Sequence, residues 1–305
     1  MVPGNLIVNM AKINYTIVIP HYDIPQLLSR CLNSIPERDD IQIIVVDDCS
    51  PHSEEYNRII PELSRPYVEF YSTPVGGSAG RARNIGIEHA MGTWVTFLDA
   101  DDLFVDNVVT ILDKYKDQEE DVLYFQSISV MSENLSIKSD RNIFDYNFKV
   151  YFQTGNESAL RLEFDAPWGK FVKKSLIDNY HIRFDEVRYS NDTYFSAAIG
   201  VFAKKIFVSE EVLYIVTERA HSLTADKMQT IEEWNIRYHT ALRVQDFFDD
   251  QHIAFRRYAF VDFLRLIWLR NKRIFFREFF KLQFRNKRRY LYCLLRVFLA
   301  TKRSL

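Results

Sequence analysis

The stretch Trp94-Val-Thr-Phe-Leu-Asp-Ala-Asp-Asp102 runs from apolar side chains straight into three carboxylates within four positions. Like charges crowded at the end of a hydrophobic strand repel one another and lose hydration, so a positive partner is expected among them. A hard divalent cation suits the place. Mg2+ and Mn2+ prefer oxygen ligands, and one or two carboxylates commonly share such an ion with a substrate diphosphate. On extended backbone the D-x-D spacing sets Asp99 and Asp101 on one face. One of them can then hold the metal while the other reaches a neighbouring group of the same ligand. The competing reading is a helix start, with Asp101 or Asp102 capping a helix that begins near Leu103.

Further polar groups also follow apolar runs. Asp47-Asp48 ends the run 41–46, where an Asx-type turn with Ser50 capping the next helix is the structural alternative. Pro20-His-Tyr-Asp23 closes the run 15–19, and His21 reads equally as a surface histidine. Gly76-Gly-Ser-Ala-Gly80 has no Gly-Lys-Ser/Thr after it and is no P-loop; it reads as a flexible entry to a helix bearing Arg81, Arg83 and Asn84. For Arg83 a solvent-exposed helix face competes with a functional role. Asn191-Asp192 precedes an apolar helix, 193–201, so Asp192 is a functional carboxylate or an N-cap.

The elements that must position these groups alternate. Strands are expected at 15–19, 41–46, 68–71, 94–98 and 122–126, and helices at 24–35, 54–63, 80–90 and 107–115. Short connections between strand and helix imply an α/β domain with a mainly parallel sheet and helices on both faces. Ligands of such sheets sit outside the carboxyl ends of the strands, so the acidic clusters should converge on one cleft. Residues 131–160 are polar and patternless, which reads as a variable loop; short strands and helices return over 165–224, and beyond Met228 the pattern is helical.

The 305 residues, 47% of them hydrophobic, suffice for one large domain or a domain with an appendage. Three cysteines, an odd number without metal-ligand spacing, suit a reduced cytosolic protein. The first residues carry no secretory pattern, and no window approaches the roughly 18 apolar residues of a spanning helix. Charge divides sharply. From Gln251 onward 15 Lys and Arg face two acids, a net charge of +13, leaving −15 for the rest. That asymmetry points to an anionic partner for the tail.

Four blocks carry a resemblance: Ile17-Val-Ile-Pro-His-Tyr-Asp23, Val45-Val-Asp-Asp-Cys-Ser50, Gly80-Arg-Ala-Arg-Asn-Ile-Gly86 and Phe97-Leu-Asp-Ala-Asp-Asp102. Their order and spacing resemble family 2 glycosyltransferases. The likeness continues through Pro167-Trp-Gly-Lys-Phe171, Ser190-Asn-Asp-Thr-Tyr-Phe195 and His221-Ser-Leu-Thr224, and covers about residues 14–225. It implies a GT-A fold and a nucleotide-diphosphate-sugar donor. By resemblance Pro20, His21 and Tyr22 form a loop against the base, Asp48 with Asp47 in support reads the uracil imide, and Arg83 approaches the nucleotide. Asp99 falls to the ribose or donor sugar, and Asp101 to Mn2+ or Mg2+. Asp102 joins the metal or caps a helix, and His221 matches a third metal ligand of some GT-A enzymes. Trp168 and Lys170 match a segment on the acceptor side, with core packing as the alternative for Trp168. Asp192 matches the general base, although Asn191 stands where Glu is common and Asp23 where Asn is usual.

The resemblance implies an inverting, metal-dependent transfer of a hexosyl or N-acetylhexosaminyl group from a UDP-sugar to an acceptor hydroxyl, on a lipid-linked glycan for surface polysaccharide. A nucleotidyltransferase with a similar acidic site, or a catalytically silent membrane adaptor of the same fold, are the alternatives. The expected division is a catalytic domain over 1–225, with nucleotide-sugar binding at 14–130 and the acceptor side at 131–225, and a basic aromatic helical tail over 226–305. In that tail Phe275, Phe276, Phe279, Phe280, Leu282 and Phe284 share one broad helical face beside a basic strip, the pattern of a helix in a membrane interface. An anionic membrane surface is therefore the expected partner, placing a cytoplasmic protein peripherally on the inner face of the plasma membrane. The competing reading is a helical subdomain that packs on the catalytic domain. No nucleic-acid-binding module is present.

Overall fold

Four apolar runs rich in β-branched residues form β1 (Tyr15–His21), β2 (Ile41–Asp47), β3 (Val68–Ser72) and β4 (Trp94–Phe97), paired in the order β3-β2-β1-β4 and all parallel. This is a computed structural model, and it describes residues 12–51, 53–219, 230–255 and 259–285. The crossovers carry α1 (Pro25–Asn33), α2 (Glu54–Ile59) with a short 3-10 turn, and α3 (Ala79–His89). Alternation along β2 shows both faces covered: Ile41, Ile43 and Val45 enter the main core with α1, while Ile44 and Val46 pack on Ala82 of α3.

Beyond β4 antiparallel pairs join the expected, mainly parallel sheet and make it mixed. β5 (Leu103–Phe104), β6 (Val122–Met131), β7 (Asn134–Lys138), β8 (Lys170–Lys173) and β9 (Ile206–Glu218) complete nine strands, with β8 antiparallel to both β4 and β6. β6 runs parallel to β9, and β5 pairs antiparallel with β9. Leu103 therefore starts a strand, and α4 (Val108–Tyr115) begins later, so neither Asp101 nor Asp102 is a helix cap. The expected loop at 131–160 contains β7, α5 (Asp145–Thr154) and α6 (Ser158–Arg161). Their periodicity is faint because every β7 residue is exposed and α5 buries only Asn147 and Phe148. α7 (Lys174–Asn179) and α8 (Thr193–Phe202) follow.

Three helices end the described chain: α9 (Ile231–Asp250), α10 (Ala259–Arg270) and α11 (Lys272–Arg285). Trp234, Tyr238, Ala241 and Leu242 of α9 share a second core with Phe260, Leu264, Ile267, Phe275, Phe279 and Leu282. Val244, Phe247 and Phe248 of the same helix enter the main core. α9 thus contributes to both cores, and the expected boundary at 225/226 lies outside the described residues. The broad aromatic face of α11 is divided too. Phe275 and Phe279 are core, whereas Phe276 and Phe280 are exposed with Leu269 of α10. Arg270, Lys272, Arg273, Arg277 and Lys281 are exposed around them. No described helix is long and apolar enough to cross a membrane.

Candidate functional site

The acidic loop after β4 is tied to β9, more than a hundred residues onward. The Tyr214 hydroxyl donates to Asp102 Oδ2 at 2.8 Å and accepts from the Asp99 amide at 3.0 Å. The Thr217 amide donates to Asp102 Oδ1 at 2.6 Å. Burial, then repulsion from Asp101 and Asp99, pushes the Asp102 carboxyl well above the usual range despite these donors. With a donor on each oxygen and only 4% of the residue exposed, Asp102 anchors the loop.

The positive partners expected on electrostatic grounds are arginines. Arg83 Nη2 donates to Asp99 Oδ1 at 2.7 Å, and Arg219 Nε to Asp101 Oδ2 at 3.1 Å. Arg30 Nη2 donates to the Asp101 carbonyl at 2.7 Å, with Thr217 Oγ1 on the same oxygen. Burial and the Asp99 charge still raise the Asp101 carboxyl, against the pull of Arg219 and Arg141. Among the described residues no hydrogen bond falls on Asp99 Oδ2 or Asp101 Oδ1.

These two oxygens are hard donors, and with a diphosphate completing the shell they fit a Mg2+ or Mn2+ ion. Among the described residues no group of three His, Cys, Asp or Glu side chains could hold a metal. His221 lies outside the described residues.

At the end of β1, His21 is no surface residue. Its Nδ1–H donates to Asp47 Oδ1 at 2.8 Å and its Nε2 accepts from the Ile24 amide at 3.2 Å, which fixes the neutral tautomer. His21 is buried, so it braces the first loop from beneath and presents no ring to a nucleotide. Asp47 also accepts from the Ser50 amide and hydroxyl, the Asx-type turn anticipated as an alternative; Ser53, not Ser50, caps α2. Burial would raise the Asp47 carboxyl, but the bonds from His21 and Ser50 prevail and hold it below the ordinary range. Pro20 pairs in register with Val46, and Tyr22 is exposed beside it.

Asp48 organises the glycine-rich loop. Its Oδ2 accepts from the Gly77 and Ser78 amides at 2.8 and 2.7 Å, and its Oδ1 from Thr73 Oγ1 at 2.9 Å. Gly77 sits at φ +115°, where a side chain is strained, and a Cβ at Gly76 would meet the Asp48 carbonyl at 2.8 Å. A carboxylate has about four acceptor positions. Three of those on Asp48 are used.

Arg83 links the acidic loop to the segment ahead of α8. It is buried, not on a solvent face, and its Nη1 donates to Asn191 Oδ1 at 2.8 Å. Asp192 follows at the start of α8, and its side chain makes no capping bond. Burial, with Asp165 and Asp99 adding to it and Arg83 opposing, raises its carboxyl to about 6. A carboxylate poised there accepts a proton near neutral pH far better than an ordinary aspartate.

Trp168 and Lys170 serve the core. Trp168 lies in an aromatic cluster with Phe144, Phe164 and Tyr214. Lys170 is wholly buried, and its Nζ donates to the Phe164 carbonyl at 3.2 Å and sits 4.5 Å from that ring's centroid. Burial lowers its ammonium to about 7. It cannot touch an acceptor in this arrangement. Tyr214, Thr217, Arg219 and Arg30 were not anticipated. Only the position of Tyr214 and Thr217 on a late strand, with Arg219 just past its end, leading into the His221 block hints at them.

A family model described as "Glycosyl transferase family 2" matches residues 16–180. The chain is 27% identical over 226 residues to Glycosyltransferase GlyA of Streptococcus pneumoniae serotype 4, covering 68% of this chain and 31% of that protein. It is 25% identical over 220 residues to the Poly(ribitol-phosphate) beta-N-acetylglucosaminyltransferase TarS of Staphylococcus aureus, covering 67% and 36%. The chain thus spans about a third of the length of these two relatives. The crystal structure of S. aureus TarS 1-349 in complex with UDP-GlcNAc superposes with a TM-score of 0.58 at 16% identity, over 83% of this chain and 71% of that one. The mannosyltransferase PcManGT from Pyrobaculum calidifontis, in complex with GDP-Man and Mn2+, gives 0.53 at 15% identity over 75% and 64%. These likenesses establish the GT-A fold.

Proposed function

Since the chain belongs to glycosyl transferase family 2, we propose that it moves a sugar, with inversion, from a UDP-sugar to an acceptor hydroxyl. The observation that carries this reading is Asp192: uncapped, raised to about 6, and joined through Asn191 and Arg83 to Asp99. Asp192 takes the hydroxyl proton as the acceptor oxygen attacks the anomeric carbon from the face opposite UDP. Asp99 and Asp101 would hold Mg2+ or Mn2+, which would supply Lewis-acid stabilisation of the departing diphosphate. Asp48 uses its remaining acceptor position for the uracil imide, and Tyr22 offers a ring to the base.

The acceptor in this reading is a glycan on a lipid carrier, in surface polysaccharide synthesis; the name of TarS supports only the coarser reading of transfer to a polymer, there poly(ribitol-phosphate). The exposed Leu269, Phe276 and Phe280 with their basic neighbours dock the protein on the anionic cytoplasmic face of the membrane.

The test is a screen of UDP-glucose, UDP-galactose, UDP-GlcNAc and GDP-mannose with Mn2+, scored by nucleotide release. Selective UDP release is expected. Formation of a nucleotide-sugar from sugar 1-phosphate and UTP, without UDP release, overturns the reading.

A further inference from the structure

The loop over 185–192 that carries Asp192 is gripped from two sides. It closes on itself through the Asp185 amide, which donates to the Asn191 carbonyl at 3.0 Å, and Ser190 adopts φ 55°. On the nucleotide side α3 holds it. Ser78 Oγ donates to the Val187 carbonyl at 3.2 Å, Arg81 pairs with Glu186 at 2.8 Å, and Arg83 reaches Asn191. Gly80 lets the helix come so close that a Cβ there would run into the Asp185 carbonyl.

The other grip comes from α9. Arg243 pairs with the buried Asp185 carboxylate, and its guanidinium lies 3.9 Å from the ring centroid of Tyr194, two residues past Asp192. Arg237 Nη1 donates to Ser190 Oγ at 3.0 Å and lies 5.3 Å from the Tyr189 ring centroid, while Glu233 orients it through Nε at 2.9 Å. Phe247, one turn further, packs edge-on to Tyr194 at 5.3 Å.

We propose that Arg237 and Arg243 are positioning residues for Asp192, so that the C-terminal helices build the acceptor side of the reaction centre as well as anchoring the chain. Resting on the assignment of Asp192 as base, this places the loop between two rigid helices. α3 reports the donor side, and α9, through its other face, is continuous with the tail core. Asp192 then approaches the attacking hydroxyl at a fixed distance and direction. Without α9 the Ser190 end of the loop loses its bond from Arg237 and keeps the Arg83–Asn191 bond and the closure from the Asp185 amide. A displacement of about 1 Å can cost on the order of a hundredfold in rate.

The test uses the full chain and the UDP-sugar it hydrolyses fastest, with water as acceptor. Arg243→Ala and Arg237→Ala should each lower kcat by about tenfold or more, leaving KM for the donor and calorimetric UDP affinity within about twofold. Arg243→Lys should recover part of kcat, because a cation opposite Asp185 is restored. Asp192→Asn is the control. Normal hydrolysis by that control removes the base and this proposal with it. If the control is slow but both arginine variants, folded by their melting transitions, turn over normally, the proposal alone is overturned. Loss of UDP affinity in parallel with kcat in Arg237→Ala also overturns it, since that marks general disruption. Should Arg243→Ala fail to fold, Arg237→Ala decides by the same readouts.

Discussion

Trp168 lies flat on Tyr214, with 4.8 Å between ring centroids and 17° between planes, and the Tyr214 hydroxyl joins Asp102 to the Asp99 amide. An aromatic stack in the core thereby sets the height of the acidic loop. The resemblance put Trp168 beside the acceptor; its work is done one layer deeper, through the phenol that it supports.

Tyr214→Phe keeps the stack and removes the hydroxyl, leaving the buried Asp102 Oδ2 without its donor. The expected cost is about 1–3 kcal/mol of stability, read by urea denaturation, together with weaker Mn2+-dependent UDP binding in calorimetry. Unchanged stability would show that Thr217 alone anchors the loop.

Asp192→Asn should retain donor binding and lose about a hundredfold or more in turnover. In the parent protein turnover should fall about tenfold per pH unit below about 6, where Asp192 becomes protonated. Stability moves the other way. A carboxyl raised from 3.8 to about 6 on folding takes up protons that the unfolded chain releases, so its penalty grows from pH 4 to 6 and is complete at pH 7. Asp192→Asn should therefore melt higher than the parent at pH 7 and lose that advantage at pH 4. A melting difference that does not depend on pH would contradict the burial argument.

Asp101→Ala deletes one of the two free oxygens at the acidic centre and releases Arg219. UDP titrations with and without Mn2+ should lose their difference, while metal-free affinity stays near the parent's. Retention of the Mn2+ effect would return the metal to other ligands.

Asp48→Ala should weaken UDP binding and also destabilise the chain by about 1–3 kcal/mol, because the Gly77 and Ser78 amides lose their acceptor. Amide hydrogen exchange at the start of α3 should accelerate in the variant. Equal affinity of the parent for UDP and CDP would exclude uracil reading by this carboxylate.

For the membrane, Phe276→Ser with Phe280→Ser tests docking while leaving the buried Phe275 and Phe279 in place, which a deletion from Arg270 would remove. Sedimentation with vesicles of one-third phosphatidylserine should show reduced binding by the double variant. High salt should weaken the parent only in part, since phenylalanine burial is not screened. A parent that ignores such vesicles at low salt refutes the docking.

The parts legible in the sequence are the local ones. Strand ends bearing Asp47, Asp48, Asp99 and Asp101, and the carboxylate ahead of α8, declare themselves through apolar runs that stop in acids. The partners do not. Tyr214, Thr217 and Arg219 reach the acidic loop across more than a hundred residues, and their types are common on any strand. Nor does composition reveal that His21 and Lys170 turn inward, because the groups that satisfy them, Asp47 and the Phe164 carbonyl, are supplied by the fold. On α11 one wide aromatic face hid two roles: Phe275 and Phe279 pack, and Phe276 and Phe280 face outward.

The bond from the Thr217 amide to Asp102 spans 115 residues of sequence. During synthesis at about 5–20 residues per second, the acidic loop emerges from the ribosome on the order of ten seconds before its anchor strand does. For that interval the nascent chain holds β1 to β4 without the clasp that sets Asp99 and Asp101, and a fragment ending at residue 180 would stay in that state. Donor-dependent protection from proteolysis should thus arise late in translation, once β9 has zipped onto β6.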